Sequence, residues 1–291
     1  IVNEGNNWTY NFEVPKYNDQ GQEINYTADE ADLENKFYQK EEVQGNMQEG
    51  YTITNTFHVP DESVEIEVHK VWNDNNNEAQ KRPDKVTLVL TGDGQEYKHE
   101  LTIENVNEEN ANQWDYTFTN LPKYDRLGNE ITYVLSEEET GSIFYTKENT
   151  QISQGTMTVT NTFEVPNETI EIPVTKVWND NGNVAGKRPS SVTMVLTANS
   201  ITPDQIPEEY KTIEQTLTNT DANQENANEW KYTFTNLPKY DNYGNEITYV
   251  LREEETGSIF YTEENTQINQ ETKTKTITNT FEVPDEKIEV P

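Results

Sequence analysis

The chain has 291 residues, of which 54 are acidic and 21 basic, giving a formal net charge of −33. That charge repels nucleic-acid phosphates and argues against nucleic acid as a partner. The absence of cysteine excludes disulfides, thiol catalysis and cysteine-based zinc sites, and no apolar run approaches the roughly 18–20 residues that span a bilayer. The hydrophobic fraction, 31%, is low for one large core, yet aromatics stand at 10% with 16 Tyr and 5 Trp. This composition fits several small β-rich units with thin aromatic cores.

Taken in chain order, the pattern is a repeat. Residues 1–57 open with Trp8-Thr9-Tyr10-Asn11-Phe12 and close with Thr54-Asn55-Thr56-Phe57, which is the C-terminal half of a unit. Residues 58–164 form a complete unit. Its first strand is predicted from the alternation of Ile66, Val68, Lys70 and Trp72, followed by Val86, Leu88 and Leu90 on one face. Trp114, Tyr116 and Phe118 share a face, as do Ile131, Tyr133, Leu135 and Glu137, and then Met157, Val159, Asn161 and Phe163. Residues 165–282 repeat the unit from Lys176-Val177-Trp178-Asn179-Asp180 to Thr278-Asn279-Thr280-Phe281, with a ten-residue insertion near Ser200–Glu209 that reads as a surface loop. Residues 283–291 match the start of a further unit, so the sequence reads as a window on a longer array. Trp8 to Trp114, Asn55 to Asn161 and Lys70 to Lys176 are each 106 residues apart. Short proline-containing links at Pro60, Pro166 and Pro284 favour a semi-rigid string over freely jointed beads. About 105 residues and some seven short strands per unit make an all-β sandwich of immunoglobulin-like size.

Three polar residues break the alternation. Lys70 lies in the apolar register between Val68 and Trp72, Glu137 follows Leu135, and Asn161 lies between Val159 and Phe163. Lys176, Glu253 and Asn279 repeat this placement, and in the leading half unit Glu30 and Asn55 do so with no matching lysine, since Lys16 and Lys36 fall in the wrong segments. A lone buried charge costs several kcal/mol, so such groups meet and pair. Two readings follow. One is a buried Lys–Glu ion pair with Asn as hydrogen-bond partner. The other is covalent. An apolar pocket lowers a lysine pKa and raises that of a carboxyl, a neutral amine is a nucleophile, and attack on the asparagine amide with loss of ammonia would leave an isopeptide bond. Misregistration at a strand end is the third, bland possibility.

The Lys-Val-Trp-Asn-Asp, Lys-Arg-Pro, Trp-x-Tyr-Thr-Phe-x-Asn-Leu-Pro-Lys-Tyr-Asp, Ile-Thr-Tyr-x-x-x-Glu and Thr-Asn-Thr-Phe segments together resemble the B-type repeat domain of collagen-adhesin-like surface proteins of Gram-positive bacteria. The resemblance covers nearly the whole chain. It implies tandem prealbumin-like, inverse immunoglobulin-like β-sandwiches with autocatalytic isopeptide bonds. Lys70 and Lys176 would be the nucleophiles, Asn161 and Asn279 the acceptors, and Glu137 and Glu253 the proton-handling carboxyls. Glu30 and Asn55 match the same pattern in part, their lysine lying upstream or on another copy. The implied role is a structural stalk or fibre segment of a cell-wall or cell-surface adhesin outside the cell, with single-turnover self-crosslinking and no enzyme activity. Its partners would be neighbouring repeats and, in a filament, other copies. The alternatives are a module that binds an extracellular ligand itself, for which the insertion is the place to look, and a filament subunit completed by strands from a neighbouring copy.

No cofactor is predicted. Asp74-Asn75-Asn76-Asn77-Glu78 has calcium-loop residue types but lacks the mid-loop glycine and distal glutamate of an EF-hand, so a polar turn is the simpler reading. His58, His69 and His99 are scattered and form no metal set. The sequons at Asn7, Asn25 and Asn167 read as chance matches.

Overall fold

The computed structural model describes residues 2–32, 34–138, 140–148, 150–153, 155–254, 257–264, 266–269 and 273–288. Glu139, Glu255 and residues 289–291 of the predicted further repeat lie outside the described residues. The architecture is all-β, in tandem sandwiches, and falls into two compact units. One comprises residues 1–66, 90–97 and 117–134, the other residues 67–89, 98–116 and 135–291.

The second unit contains the whole of the last repeat. Its larger sheet is centred on Thr169–Asn179, which pairs antiparallel with Glu229–Pro238 on one side and parallel with Lys275–Phe281 on the other. Tyr261–Glu263 and Gln267–Ile268 pair with the far edge of that last strand. The smaller sheet runs Thr212–Thr218, Ser191–Asn199, Thr248–Glu253. Period-two alternation sends one side of each strand inward. Val174, Trp178, Trp230, Phe234 and Ile277 from the first sheet thus share one core with Val192, Met194, Leu196, Leu217, Tyr249 and Leu251 from the second. This arrangement is the prealbumin-like, inverse immunoglobulin-like sandwich.

The parallel pairing of first and last strands positions the candidate site, and it recurs in the preceding repeat. There Ser63–Asn73 pairs with Thr156–Phe163, in a register from Met157↔Val68 to Thr162↔Asn73. The tryptophan that ends each first strand is fully enclosed. Trp72 meets Trp114 edge-on at 5.1 Å and Tyr145 at 5.2 Å; Trp178 meets Trp230 at 5.1 Å and Tyr261 at 5.3 Å. Edge-to-face packing of this kind adds about 0.5–1.5 kcal/mol per pair beyond area burial.

In the first unit the leading segment forms three short hairpin pairings: Val2–Glu4 with Asn7–Thr9, Tyr38–Lys40 with Asn55–Phe57, and Gln44–Asn46 with Gly50–Thr52. Trp8 and Phe12 are 78% and 77% exposed, whereas their counterparts Trp114 and Phe118 are 2% and 5% exposed. Among its described residues the segment carries no counterpart of the first strand that covers those rings in a complete repeat. One feature is common to all three repeats. Tyr26, Tyr133 and Tyr249 each donate a hydroxyl hydrogen bond to a proline carbonyl eleven residues upstream (Pro15, Pro122 and Pro238), at 2.8–2.9 Å.

The insertion is exposed or half-buried except at Ile206, but carries local structure and an inward anchor. Pro203–Gln205 forms a 3-10 turn and Glu208–Lys211 a single helical turn, and Ile206 between them is buried in the core. Ser200 and Thr202 donate hydroxyl hydrogen bonds to Asp241, a carboxylate that is almost fully buried. Burial alone would raise the Asp241 pKa; the hydrogen bonds from Thr202, the Asn245 backbone and Ser200 outweigh it and hold the carboxyl below its usual range. The insertion is therefore anchored inward by one apolar side chain and a small polar cluster.

Candidate functional site

Lys70, Glu137 and Asn161 meet inside the sandwich, and so do Lys176, Glu253 and Asn279. All six are buried, with the two lysines at 0% exposure. Lys70 lies opposite Val159, and Asn161 opposite Trp72, so lysine and asparagine stand two positions apart on adjacent parallel strands, facing the same core. Lys176 is likewise paired with Ile277, and Asn279 with Trp178. The glutamates come from the facing sheet, at the ends of Val134–Glu137 and Thr248–Glu253.

The distances agree between the two copies. Asn161 donates its amide N–H to Glu137 Oε1 at 2.7 Å, and Asn279 donates to Glu253 Oε1 at 2.7 Å. Lys70 Nζ lies 3.7 Å from Glu137 Oε2, and Lys176 Nζ lies 3.3 Å from Glu253 Oε2. Each amine also donates to the carbonyl of the next residue, Val71 at 3.0 Å or Val177 at 3.2 Å, and sits over the indole of Trp72 or Trp178, at 4.1 and 4.5 Å. An ammonium has three donors to place, and these are meagre partners for a fully buried one.

Several polar atoms at the site have no hydrogen-bond partner among the described residues: Glu137 Oε2, Asn161 Oδ1, Glu253 Oε2 and Asn279 Oδ1. Leaving a buried acceptor unmade costs about 1–3 kcal/mol, and the same atoms are left unmade in both repeats. Burial depresses the pKa of Lys70 and of Lys176 to about 8, against the opposing attraction of Glu137 and Glu253. Burial thus makes the neutral amine far more accessible at neutral pH than in an ordinary lysine.

The leading segment holds part of this set. Asn55 donates to Glu30 Oε2 at 2.9 Å, and its Oδ1 has no hydrogen-bond partner among the described residues. Lys36 points elsewhere, to Glu62 at 2.6 Å. Lys40 donates to the backbone carbonyl of Glu30 at 3.1 Å, the same contact that Lys147 makes with the carbonyl of Glu137 at 2.7 Å. Lys40 therefore corresponds to Lys147 and not to Lys70.

One cluster beside the site was not singled out in the sequence. The Asp74 carboxylate accepts from Arg82 Nε and Nη2, both at 2.6 Å, from the Tyr145 hydroxyl at 2.9 Å and from the Asn77 backbone at 3.1 Å. Asp180 is held in the same way by Arg188, Tyr261 and Asn183. The carboxylate of the supposed calcium-like turn is thus engaged by a bidentate guanidinium. Burial would raise its pKa, but the Arg82 and Tyr145 hydrogen bonds hold it below the usual range. The sequence signal was the recurrence of Trp-Asn-Asp with Lys-Arg-Pro at similar spacing in both repeats.

Tandem cysteine-free sandwiches, each enclosing a lysine from the first strand, an asparagine from the last and a glutamate from the facing sheet, define a repeat module. The profile of the Cna protein B-type domain matches residues 1–56, 66–162 and 172–280, and the chain belongs to that family. It is 32% identical over 253 residues to a collagen adhesin of Staphylococcus aureus, an alignment covering 87% of this chain and 18% of that protein's length. Among solved structures it is similar to a single B repeat unit of the S. aureus collagen binding surface protein, at 28% identity and a TM-score of 0.28, covering 76% of this chain and 99% of the other. It is also similar to two B repeat units of the same protein, at 28% identity and a TM-score of 0.32, covering 91% and 61%. The pilus adhesin SpaC of Lactobacillus rhamnosus GG matches at 13% identity and a TM-score of 0.29, covering 81% and 31%.

Proposed function

We propose that this chain is a load-bearing segment of an extracellular surface stalk or fibre, built from B-type repeats at residues 58–164 and 165–282, and that each of these is locked by a Lys–Asn isopeptide bond. The leading residues 1–57 and the closing residues 283–291 are parts of further repeats. The observation that carries this reading is the identical placement of two under-satisfied buried Lys–Glu–Asn sets, each bridging the parallel first and last strands.

The chemistry balances within the chain. Lys70 passes a proton to Glu137 and becomes a neutral nucleophile. A half-turn of the Asn161 amide, which exchanges its oxygen and nitrogen with little change of shape, presents the carbonyl to the protonated carboxyl. Attack of Nζ on Cγ forms the C–N bond. Glu137 relays the surplus amine proton to the departing nitrogen, and ammonia leaves. Lys176, Glu253 and Asn279 follow the same course. The product removes a buried ammonium from the core and leaves a neutral amide. The reaction turns over once per repeat, so the proteins neighbouring this segment are other repeats and not substrates.

The strand geometry gives the bond its use. The first strand enters at one end of the parallel pair and the last strand leaves at the other, so tension on the chain shears the hydrogen bonds between them. A link from Lys70 to Asn161 carries that load covalently and shields residues 71–160. Pulled by its ends, each locked repeat should resist extension. The hidden stretches, 90 residues between Lys70 and Asn161 and 102 between Lys176 and Asn279, roughly 300 and 350 Å at ~3.4 Å per residue, should never appear as unfolding steps. Single-molecule pulling of the chain checks this. Glu137→Ala is expected to release one such step, and a parent chain that already shows steps of these lengths from both repeats would refute the load-bearing role.

A further inference from the structure

The same aromatic contact occurs twice between consecutive repeats, each time inside one of the two compact units. In the first unit, Phe37 of the leading repeat meets Tyr124 of the next edge-on at 5.2 Å. In the second unit, Phe144 meets Tyr240 edge-on at 5.6 Å. Each phenylalanine is also stacked at 6.4 Å on the ring that closes its own last strand, Phe57 or Phe163.

The receiving element is a turn with a repeated sequence, Tyr124-Asp125-Arg126-Leu127-Gly128-Asn129 and Tyr240-Asp241-Asn242-Tyr243-Gly244-Asn245. Its glycine has a positive φ, 83° at Gly128 and 73° at Gly244. A side chain there would also crowd the incoming ring at Gly128 and collide with it at Gly244. A Cβ at Gly128 would lie 3.1 Å from Phe37, and one at Gly244 would lie 2.6 Å from Phe144. The corresponding glycine of the leading segment, Gly21, has the same kind of φ, 72°, but nothing within 4 Å of its Cβ position. The turn conformation alone therefore accounts for a glycine, and the close approach of a ring is an additional property of the two occupied turns.

Lysines fasten the contact. Lys36 donates to the Tyr124 hydroxyl at 2.5 Å and to Glu62 at 2.6 Å. Lys81 sits over the Phe144 ring at 5.3 Å and donates to Asn245 Oδ1 at 2.9 Å. In the last repeat Lys187 sits over Phe260 at 4.9 Å, and Phe260 is stacked at 6.3 Å on Phe281. The plug seen at Phe144 is thus prepared again.

We propose that the Tyr-Asp-x-x-Gly-Asn turn is a socket for the phenylalanine of the preceding repeat, that its partner is another copy of the same module, and that this contact restricts the joint beyond what the proline linker imposes. Phe260 with Lys187 is the matching plug for a further repeat. The inference does not depend on the isopeptide bonds, which lie inside the sandwiches.

The natural absence of cysteine makes the test direct. Glu104→Cys and Glu214→Cys place spin labels on exposed positions in the two complete repeats, and pulsed electron paramagnetic resonance gives the distribution of distances between them. A narrow distribution is expected for the parent chain, widening at least about twofold in Phe144→Ala. Tyr240→Ala removes the other side of the contact and should give the same widening, so loss of fold in one variant does not decide the outcome. Retention of the parent melting profile shows that the sandwiches themselves are intact. A parent distribution that is already broad, or one that stays narrow in both variants, overturns the proposal.

Discussion

Asn161→Ala is expected to destabilise the first complete repeat by more than a hydrogen bond can account for. The substitution deletes the contact to Glu137 Oε1 and leaves the Lys70–Glu137 pair in place. A lost buried hydrogen bond of this kind costs about 1–3 kcal/mol. A covalent tie between residues 70 and 161 closes a loop of about 90 residues, worth about 4–5 kcal/mol by the loop-entropy relation that describes disulfides. For a domain of this size each kcal/mol moves the melting temperature by about 4–8 °C, so loss of the tie should lower it by on the order of 20–30 °C. Glu137→Ala should do at least as much, because it also strands the Lys70 ammonium in the core, where unpaired charges cost about 3–5 kcal/mol. Differential scanning calorimetry of the chain should then show two separated transitions, the 165–282 repeat keeping its own. A loss for Asn161→Ala confined to the hydrogen-bond range would mean that the site is an ion pair with an amide beside it.

Arg82→Met should be the second costly change, through the Asp74 carboxylate. That carboxylate is buried between the ends of the first strand and the Tyr145 strand, and Arg82 supplies two of its four hydrogen bonds. Without the guanidinium the charge loses its ion-pair partner and keeps only the Tyr145 and Asn77 hydrogen bonds, and about 3–5 kcal/mol should be lost. Asp74→Leu combined with Arg82→Met should recover a good part of this, because a buried ion pair replaced by apolar groups of similar volume is often near neutral. Chemical denaturation of the two single variants and the double variant checks the sign of the coupling. Equal, additive losses would mean that the pair is too solvated to matter. The equivalent pair, Asp180 with Arg188, offers an independent repeat of the measurement within the same chain.

The candidate site was legible because β alternation is binary. A lysine between Val68 and Trp72 and an asparagine between Val159 and Phe163 share the register of the inward residues, Lys176 and Asn279 repeat it, and all four are buried. The parallel direction of the first and last strands was not legible, since alternation says which face a residue takes and nothing about the neighbouring strand. The Asp74–Arg82–Tyr145 cluster was missed for a related reason. Its members lie on a turn, a loop and a short strand 71 residues from the aspartate, where no periodicity connects them. The inward anchoring of the insertion was not legible because one buried Ile206 leaves no pattern, and the hydroxyls that meet Asp241 come from the insertion itself. The aromatic joint lay in plain view as the repeated Phe-Tyr and Tyr-Asp-x-x-Gly-Asn segments, but a contact between repeats has no signature in either one alone.

Intact-mass spectrometry of the purified, denatured chain tests the central claim most directly. Each condensation of a lysine with an asparagine amide expels one ammonia, so the chain should weigh about 34 Da less than its sequence. Glu137→Ala and Glu253→Ala should each restore about 17 Da, and the two together the full sequence mass. A parent chain at its full sequence mass would contradict the account and leave two buried ion pairs in place of two covalent ties.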